Sequence, residues 1–136
     1  MYLLNQVNQG LRNALDLRLR EFKITGLQYT ILTVVRSNEG ISSAELSRRF
    51  FVTPQTMNET VTGMERRGLL KRKEQRNNKR ILVAFLTSTG EILLKKCDVI
   101  AREIDTEAFG DMSDEDFDTL RNLLQDRIKR QRAAKP

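Results

Sequence analysis

The residues suited to chemistry cluster between Ser42 and Arg80, and they suit contact with a polyanion better than bond making. In Thr53-Pro54-Gln55-Thr56-Met57-Asn58-Glu59-Thr60-Val61-Thr62, the apolar Met57 and Val61, followed by Met64, recur at four- and three-residue spacing. That spacing marks one face of a helix. The opposite face then carries Gln55, Thr56, Asn58, Glu59 and Thr62. Gln and Asn amides pair bidentately with adenine in the DNA major groove, and a carboxylate such as Glu59 accepts from cytosine N4. Thr53 and Thr56, with Pro54 in the first turn, suit phosphate contact, where free backbone N–H groups and the helix dipole help. Further on, Arg72, Lys73, Arg76, Lys79 and Arg80 surround one predicted hairpin, with Asn78 among them. Such cations neutralise phosphates, and an Arg at the tip fits a narrow minor groove. Ser42, which opens the preceding helix, is grouped with these contact residues.

The charge is as localised as the motif. Residues 36–80 hold 11 Lys and Arg against 5 Asp and Glu, while the remainder holds 13 against 13. The formal net charge of +6 therefore comes from one segment. A basic stripe on a reader motif is the electrostatic footprint of a nucleic-acid binder, against the plainer reading of a solvated charged face. The polar face of the helix has its own plain reading, ordinary surface residues, which the adjoining basic hairpin weakens.

Other classes are disfavoured. The chain has no His, the commonest general base and metal ligand, and one Cys, so no usual zinc site is expected. No phosphate-cradling Gly-rich loop occurs, and neither an enzyme nor a cofactor is expected. No run of eighteen apolar residues is present, so no membrane span is expected, and the first 22 residues lack the pattern of a secretory signal. A single Cys suits a reducing cytoplasm. Cys97 follows Lys95 and Lys96, which invites a redox-sensitive reading; a structural Cys is the preferred one.

The elements that must position these residues follow from periodicity and caps. With 136 residues, 39% hydrophobic and 31% charged, the chain fits one small helix-rich domain with helical extensions. Residues 2–22 are predicted helical through Leu4, Val7, Leu11 and Leu15, with Leu3, Ala14 and Phe22 widening the stripe. Thr25 is the predicted cap of a second, broadly apolar helix ending at Asn38-Glu39-Gly40. Ser42 and Glu45 are expected to form a reciprocal capping box for a third helix, with Ala44, Leu46 and Phe50 on its inner side. Thr53 caps the fourth, which stops at Gly68, with Leu69 folding back on Met64. Arg66 and Arg67 suit either phosphate contact or the dipole at a helix end.

Two strands are predicted, Leu69–Lys73 and Ile81–Leu86, joined through an Asn-Asn turn. Thr87 or Ser88 caps the next helix, which runs to about Thr106 with Ile92, Leu93, Val99, Ile100 and Ile104 inward. From Glu103 to Asp118 there are eight acids and no base, and Ser113 with Asp116 opens the last helix. Acids there match the helix dipole. Phe117, Leu120, Leu124 and Ile128 form its stripe, and the tail from Arg130 is expected to fray.

The pattern from Gly26 to Leu32, then Ser42-x-x-Glu45-Leu46, Val52 to Met57, Met64-Glu65-Arg66-Arg67-Gly68-Leu69, and Arg80 with Leu86-Thr87-Ser88-Thr89-Gly90 resembles MarR-type transcriptional regulators over about residues 24–95. The resemblance implies a mainly α (α+β) winged helix-turn-helix. It also implies a homodimer on palindromic double-stranded DNA, often a repressor, with interleaved N- and C-terminal helices. Many such proteins bind small aromatic acids or sense oxidants between those helices and the DNA-binding lobes. The expected division is a DNA-binding lobe over 24–90 and dimerisation helices over 1–23 and 91–136. Two positions depart from the family pattern: Asn78 stands where an Asp usually braces the wing Arg, and Glu59 where a basic residue is common.

The sequence therefore predicts a cytoplasmic, dimeric DNA-binding transcriptional regulator. A winged helix used as a protein-interaction module would need an apolar outer face on the fourth helix, and an RNA binder would favour exposed aromatics on the wing. Neither feature is present.

Overall fold

The computed structural model describes residues 1–134. Among these, six α-helices and one small sheet follow the order α1 (Tyr2–Arg18), a 3-10 turn (Arg20–Phe22), α2 (Gly26–Ser37), β1 (Ile41–Ser42), α3 (Ser43–Phe50), α4 (Pro54–Arg66), β2 (Leu70–Gln75), β3 (Asn78–Leu86), α5 (Ser88–Phe109) and α6 (Asp114–Ala133). There are two compact units, residues 1–102 and 103–136, so α5 contributes to both.

In the first unit a continuous core joins Leu19 and Ile24 to Ile31, Leu32 and Val35 of α2, Leu46 of α3, and Met57, Val61 and Met64 of α4. Leu69, Leu70 and Ala84 of the hairpin and Leu94 and Cys97 of α5 complete it. Burying side chains of this size stabilises by roughly 1.5–3 kcal/mol each, and the burial of Met57, Val61 and Met64 holds the inner face of α4 against this core.

Local chemistry sets the helix boundaries. Thr25 caps α2 in a full capping box with Gln28: its hydroxyl accepts from the Gln28 N–H at 3.1 Å, and Gln28 Oε1 accepts from the Thr25 N–H at 3.0 Å. Ser42 caps α3 through the Glu45 N–H at 3.1 Å, but the expected return bond is not made. The Glu45 carboxylate instead accepts from Arg48 at 2.6 Å and Arg49 at 3.2 Å, because two guanidiniums one turn away compete successfully for it. Ala44 is exposed, and Ser47 takes its predicted inner place, donating to the Ala44 carbonyl at 2.7 Å.

α4 ends as the sequence predicts. Gly68 adopts φ +72°, its N–H donates to the Glu65 carbonyl and the Leu69 N–H to that of Met64, the paired bonds of a Schellman stop. Thr87 then couples this stop to α5. Its hydroxyl donates to the Gly68 carbonyl at 2.5 Å and accepts from the Gly90 N–H at 3.0 Å. A Cβ at Gly90 would lie 2.0 Å from the Leu69 carbonyl oxygen, so no larger residue fits this crossing.

The sheet has the order β1-β3-β2, antiparallel throughout. β1 is two residues long and was not foreseen; Ile41 and Ser42 pair with Ala84 and Val83. Both hairpin strands extend beyond the predicted ends, leaving only Arg76 and Asn77 as the turn. Neither has a positive φ. The geometry is instead taken up by a register shift between Glu74 and Gln75, which leaves Lys79, Arg80 and Ile81 in the irregular part of β3.

One predicted stripe is partly displaced. On α5 Leu94, Cys97 and Ile104 are buried and Leu93 and Ile100 pack partly buried against the core, whereas Ile92 and Val99 are exposed. Broad apolar content on that helix made two rotations compatible with one sequence. α6 continues to Ala133 where fraying was expected; Lys135 and Pro136 lie outside the described residues. Ser113 caps α6 through the Asp116 N–H, as expected.

A polar tie holds α5 to α2. Asp98 accepts from the Tyr29 hydroxyl at 2.8 Å and from Arg36 at 2.8 and 3.3 Å. The Arg36 guanidinium, helped by Tyr29, holds the Asp98 carboxylate below its ordinary range, while burial and the neighbouring carboxylate push the Tyr29 phenol up. Because the folded-state pKa of Asp98 is lowered, its stabilising contribution is complete above the unfolded value of about 4 and disappears as pH falls through the lower folded value. Asp98→Ala is expected to cost about 1–3 kcal/mol at neutral pH, since it leaves the part-buried Tyr29 hydroxyl unpaired and Arg36 with only Glu91, 3.9 Å away. Denaturant melts should show that difference shrinking below about pH 4. A difference independent of pH would mean that the charge of Asp98 is immaterial.

Candidate nucleic-acid interface

α4 and the β2–β3 hairpin present the predicted contact residues in two states, engaged and free. Thr53 caps α4, its Oγ1 accepting from the Thr56 N–H at 3.2 Å and donating to Thr56 Oγ1 at 2.9 Å, and Pro54 occupies the first turn. Both threonines and Pro54 are exposed at the helix start, where the dipole favours an anion. Gln55, Asn58 and Glu59 are exposed on the face opposite the buried Met57, Val61 and Met64. Gln55 reaches Glu59 only through a long hydrogen bond of 3.4 Å. Thr62 is half-buried on the same side.

Arg72 differs from its basic neighbours. Its side chain is only 11% exposed. Nη1 donates to Asn58 Oδ1 at 2.8 Å, Nη2 to Thr62 Oγ1 at 2.8 Å and to Glu65 Oε1 at 3.1 Å, and its backbone N–H to Glu65 Oε2 at 3.0 Å. These bonds hold the Glu65 carboxylate below its ordinary range. Arg72 is therefore a brace between β2 and α4, where the sequence suggested a free phosphate cation. The cause is strand alternation: Leu70 is buried, so Arg72 shares its face, and Lys71 and Lys73 turn outward.

The cations that remain available are on the outer face and at the tip. Lys73 lies 5.3 Å from the centre of the Phe85 ring and is exposed. Arg76, Lys79 and Arg80 are exposed, with no side-chain hydrogen bond or ion pair among the described residues. Asn78 accepts from the Arg80 backbone N–H at 3.1 Å, so it braces the chain beside Arg80 and not the guanidinium. Ser42 is half-buried, occupied as the α3 cap and as a β1 residue, yet with Asn58, Arg72 and Arg80 it lines a cleft of about 270 Å³ between α3, α4 and the hairpin. Arg67 donates to the Lys23 and Phe22 carbonyls at 2.6 and 3.2 Å, closing the end of the 3-10 turn.

Cys97 is fully buried, and burial, with Asp98 and Glu21, pushes its thiol up to about 11. Lys95 and Lys96 are exposed and do not offset this. The thiol stays protonated at neutral pH and behaves as a core residue.

A helix-turn-helix whose second helix carries a polar outer face, followed by a two-stranded basic wing, defines a winged-helix protein of the DNA-binding type. Residues 22–81 match the model of the MarR family. The chain is 34% identical over 104 residues to the HTH-type transcriptional repressor Rv2887 of Mycobacterium tuberculosis, covering 76% of this chain and 75% of that protein. The chain belongs to the MarR family. Among solved structures, CouR from Rhodococcus jostii RHA1 bound to p-coumaroyl-CoA superposes with a TM-score of 0.85 at 20% identity, over 93% of this chain and 90% of that one. The MepR–DNA complex of S. aureus superposes with a TM-score of 0.80 at 20% identity, over 94% and 95%. At these identities the two structures speak for the fold.

Proposed function

We infer that this protein is a sequence-specific DNA-binding transcriptional regulator, a repressor, acting in the cytoplasm as a homodimer on a palindromic operator, and that it is not an enzyme. One observation carries the reading: the polar face of α4 is braced by Arg72 onto a hairpin whose Lys73, Arg76, Lys79 and Arg80 stay available at the surface. A helix placed beside a cationic wing allows base contact and phosphate contact in one docking. The family relationship and the repressor similarity support the same conclusion. No helix among the described residues is long and apolar enough to cross a membrane.

A small aromatic acid is the favoured releasing signal. A cleft of about 400 Å³ between α1, α2 and the end of α3 is lined by Leu11, Leu15, Leu27 and Phe50, and by Arg12 and the Glu45-paired Arg49. Apolar walls with a few cations fit a ring bearing a carboxylate. The buried, protonated Cys97 argues against an oxidant acting through that thiol.

The test separates helix from wing. A duplex enriched from a random pool by the wild-type protein, and a scrambled duplex, are titrated at one salt concentration. Gln55→Ala should lose about 1–3 kcal/mol on the enriched duplex and almost nothing on the scrambled one. Lys79→Ala should weaken both alike. If Gln55→Ala and Asn58→Ala both keep the wild-type preference, α4 is not the reader and the proposed function fails.

A further inference from the structure

Resting on the reading of α4 as the base-contacting helix, we propose that Arg72 is a specificity-determining residue: it fixes the Asn58 amide so that Asn58 offers its NH2 donor outward, and selects guanine at the position Asn58 addresses. An unrestrained asparagine at such a site would favour adenine, for which it needs an acceptor for the N6 amine and a donor for N7. The brace removes that choice.

A guanidinium has five N–H donors and no acceptor, so the Asn58 atom 2.8 Å from Arg72 Nη1 must be the oxygen. The amide nitrogen is then directed away and makes no hydrogen bond among the described residues. The guanidinium itself has little freedom. Glu65 takes Nε at 3.4 Å, Nη2 at 3.1 Å and the Arg72 backbone N–H at 3.0 Å. Asn58, Thr62 and Glu65 are spaced i, i+4, i+7, so one stripe of α4 receives the whole fork.

Asn58 Oδ1 keeps a second lone pair, but an adenine N6 amine brought to it would place a donor beside the positively charged fork. Thr62 acts in the same sense. Its oxygen accepts from Arg72 at 2.8 Å, so its own hydrogen is directed elsewhere. The surface offered is an amide NH2 with a hydroxyl donor nearby. Guanine presents O6 and N7, both acceptors, at its major-groove edge.

The position addressed by Asn58 is identified as the one whose preference collapses when Asn58→Ala is used in selection from a randomised duplex pool. With wild-type protein that position should hold guanine, and 7-deazaguanine there should weaken binding about tenfold. Arg72→Lys keeps the charge and loses the fork. It should raise adenine relative to guanine at that position by about tenfold, with the thermal melt cooperative and random-duplex affinity within about twofold of wild type. A purely structural role would lower all affinities together and leave the ratio alone.

Adenine at that position in the wild-type selection overturns the proposal, as does an unchanged ratio in folded Arg72→Lys. Should Arg72→Lys fail to fold, the wild-type base identity and the 7-deazaguanine result decide it. Enriched duplexes in which Asn58→Ala alters no position overturn the proposal and leave DNA reading intact. A pool that yields no enriched sequence removes both.

Discussion

Glutamate at both Leu4 and Val7 is expected to convert a two-chain species at micromolar concentration into a monomer, and to lower affinity for an enriched palindromic duplex by about a hundredfold or more. Leu4 and Val7 are 57% and 52% exposed on the chain alone, and Phe117, Leu124 and Ile128 of α6 are exposed as well. Amphipathic helices with uncovered stripes need a partner surface, and an obligate interface commonly buries more than roughly 2,000 Å². Because these side chains contribute little to the protomer core, the substitution should leave the melt of the protomer cooperative. A dimer places two α4 helices on two half-sites, and losing the second half-site removes its avidity. Sedimentation of both proteins measures the outcome. A wild-type protein that sediments as a monomer would rule out dimerisation through these ends, and with it the palindromic operator.

Removing the wing cations is expected to act through salt. For B-DNA, log K falls with log salt at a slope near −0.9 per phosphate neutralised. Arg80→Ala should flatten that slope by about one unit for each wing engaged, on every sequence alike. The triple change of Arg76, Lys79 and Arg80 to alanine should flatten it about three times as much as Arg80→Ala alone and abolish measurable binding at physiological salt. All three are exposed and unpaired among the described residues, so stability should hardly change. Titrations at several salt concentrations measure the slope. A triple variant with the wild-type slope would show that the wing does not touch phosphate.

The wing and the α4 face could be read from sequence because their signals are local. Thr53 and Pro54 announce a helix start, Met57, Val61 and Met64 announce its buried face, and Gly68 announces its end through a φ only glycine adopts easily. The net charge of +6 resides in residues 36–80 whatever the fold. The motif spacing then gave the family, which no single element could have done.

Other features depend on which elements meet. β1 is too short to show a period, and it exists because Ile41 and Ser42 find Val83 and Ala84. The rotation of α5 was undecided among many apolar side chains until packing placed Leu94 and Cys97 inward. Cys97 therefore lost the electropositive setting that Lys95 and Lys96 suggested. The Glu45 carboxylate was free in sequence to close a capping box, and the two neighbouring arginines took it.

Arg72 lies between the two cases. Period-two alternation from the buried Leu70 would have turned it away from Lys71 and Lys73, so half of its role was legible. The other half was not, because Asn58, Thr62 and Glu65 belong to another element and reach it only across the Gly68 stop. By itself the sequence determined the residue types, the local helix ends and the charge of the surface, since these depend on neighbours along the chain. Tertiary structure alone decided which cations remain free and which amide atom faces outward, since a hydrogen bond between elements depends on distances that no spacing in sequence records.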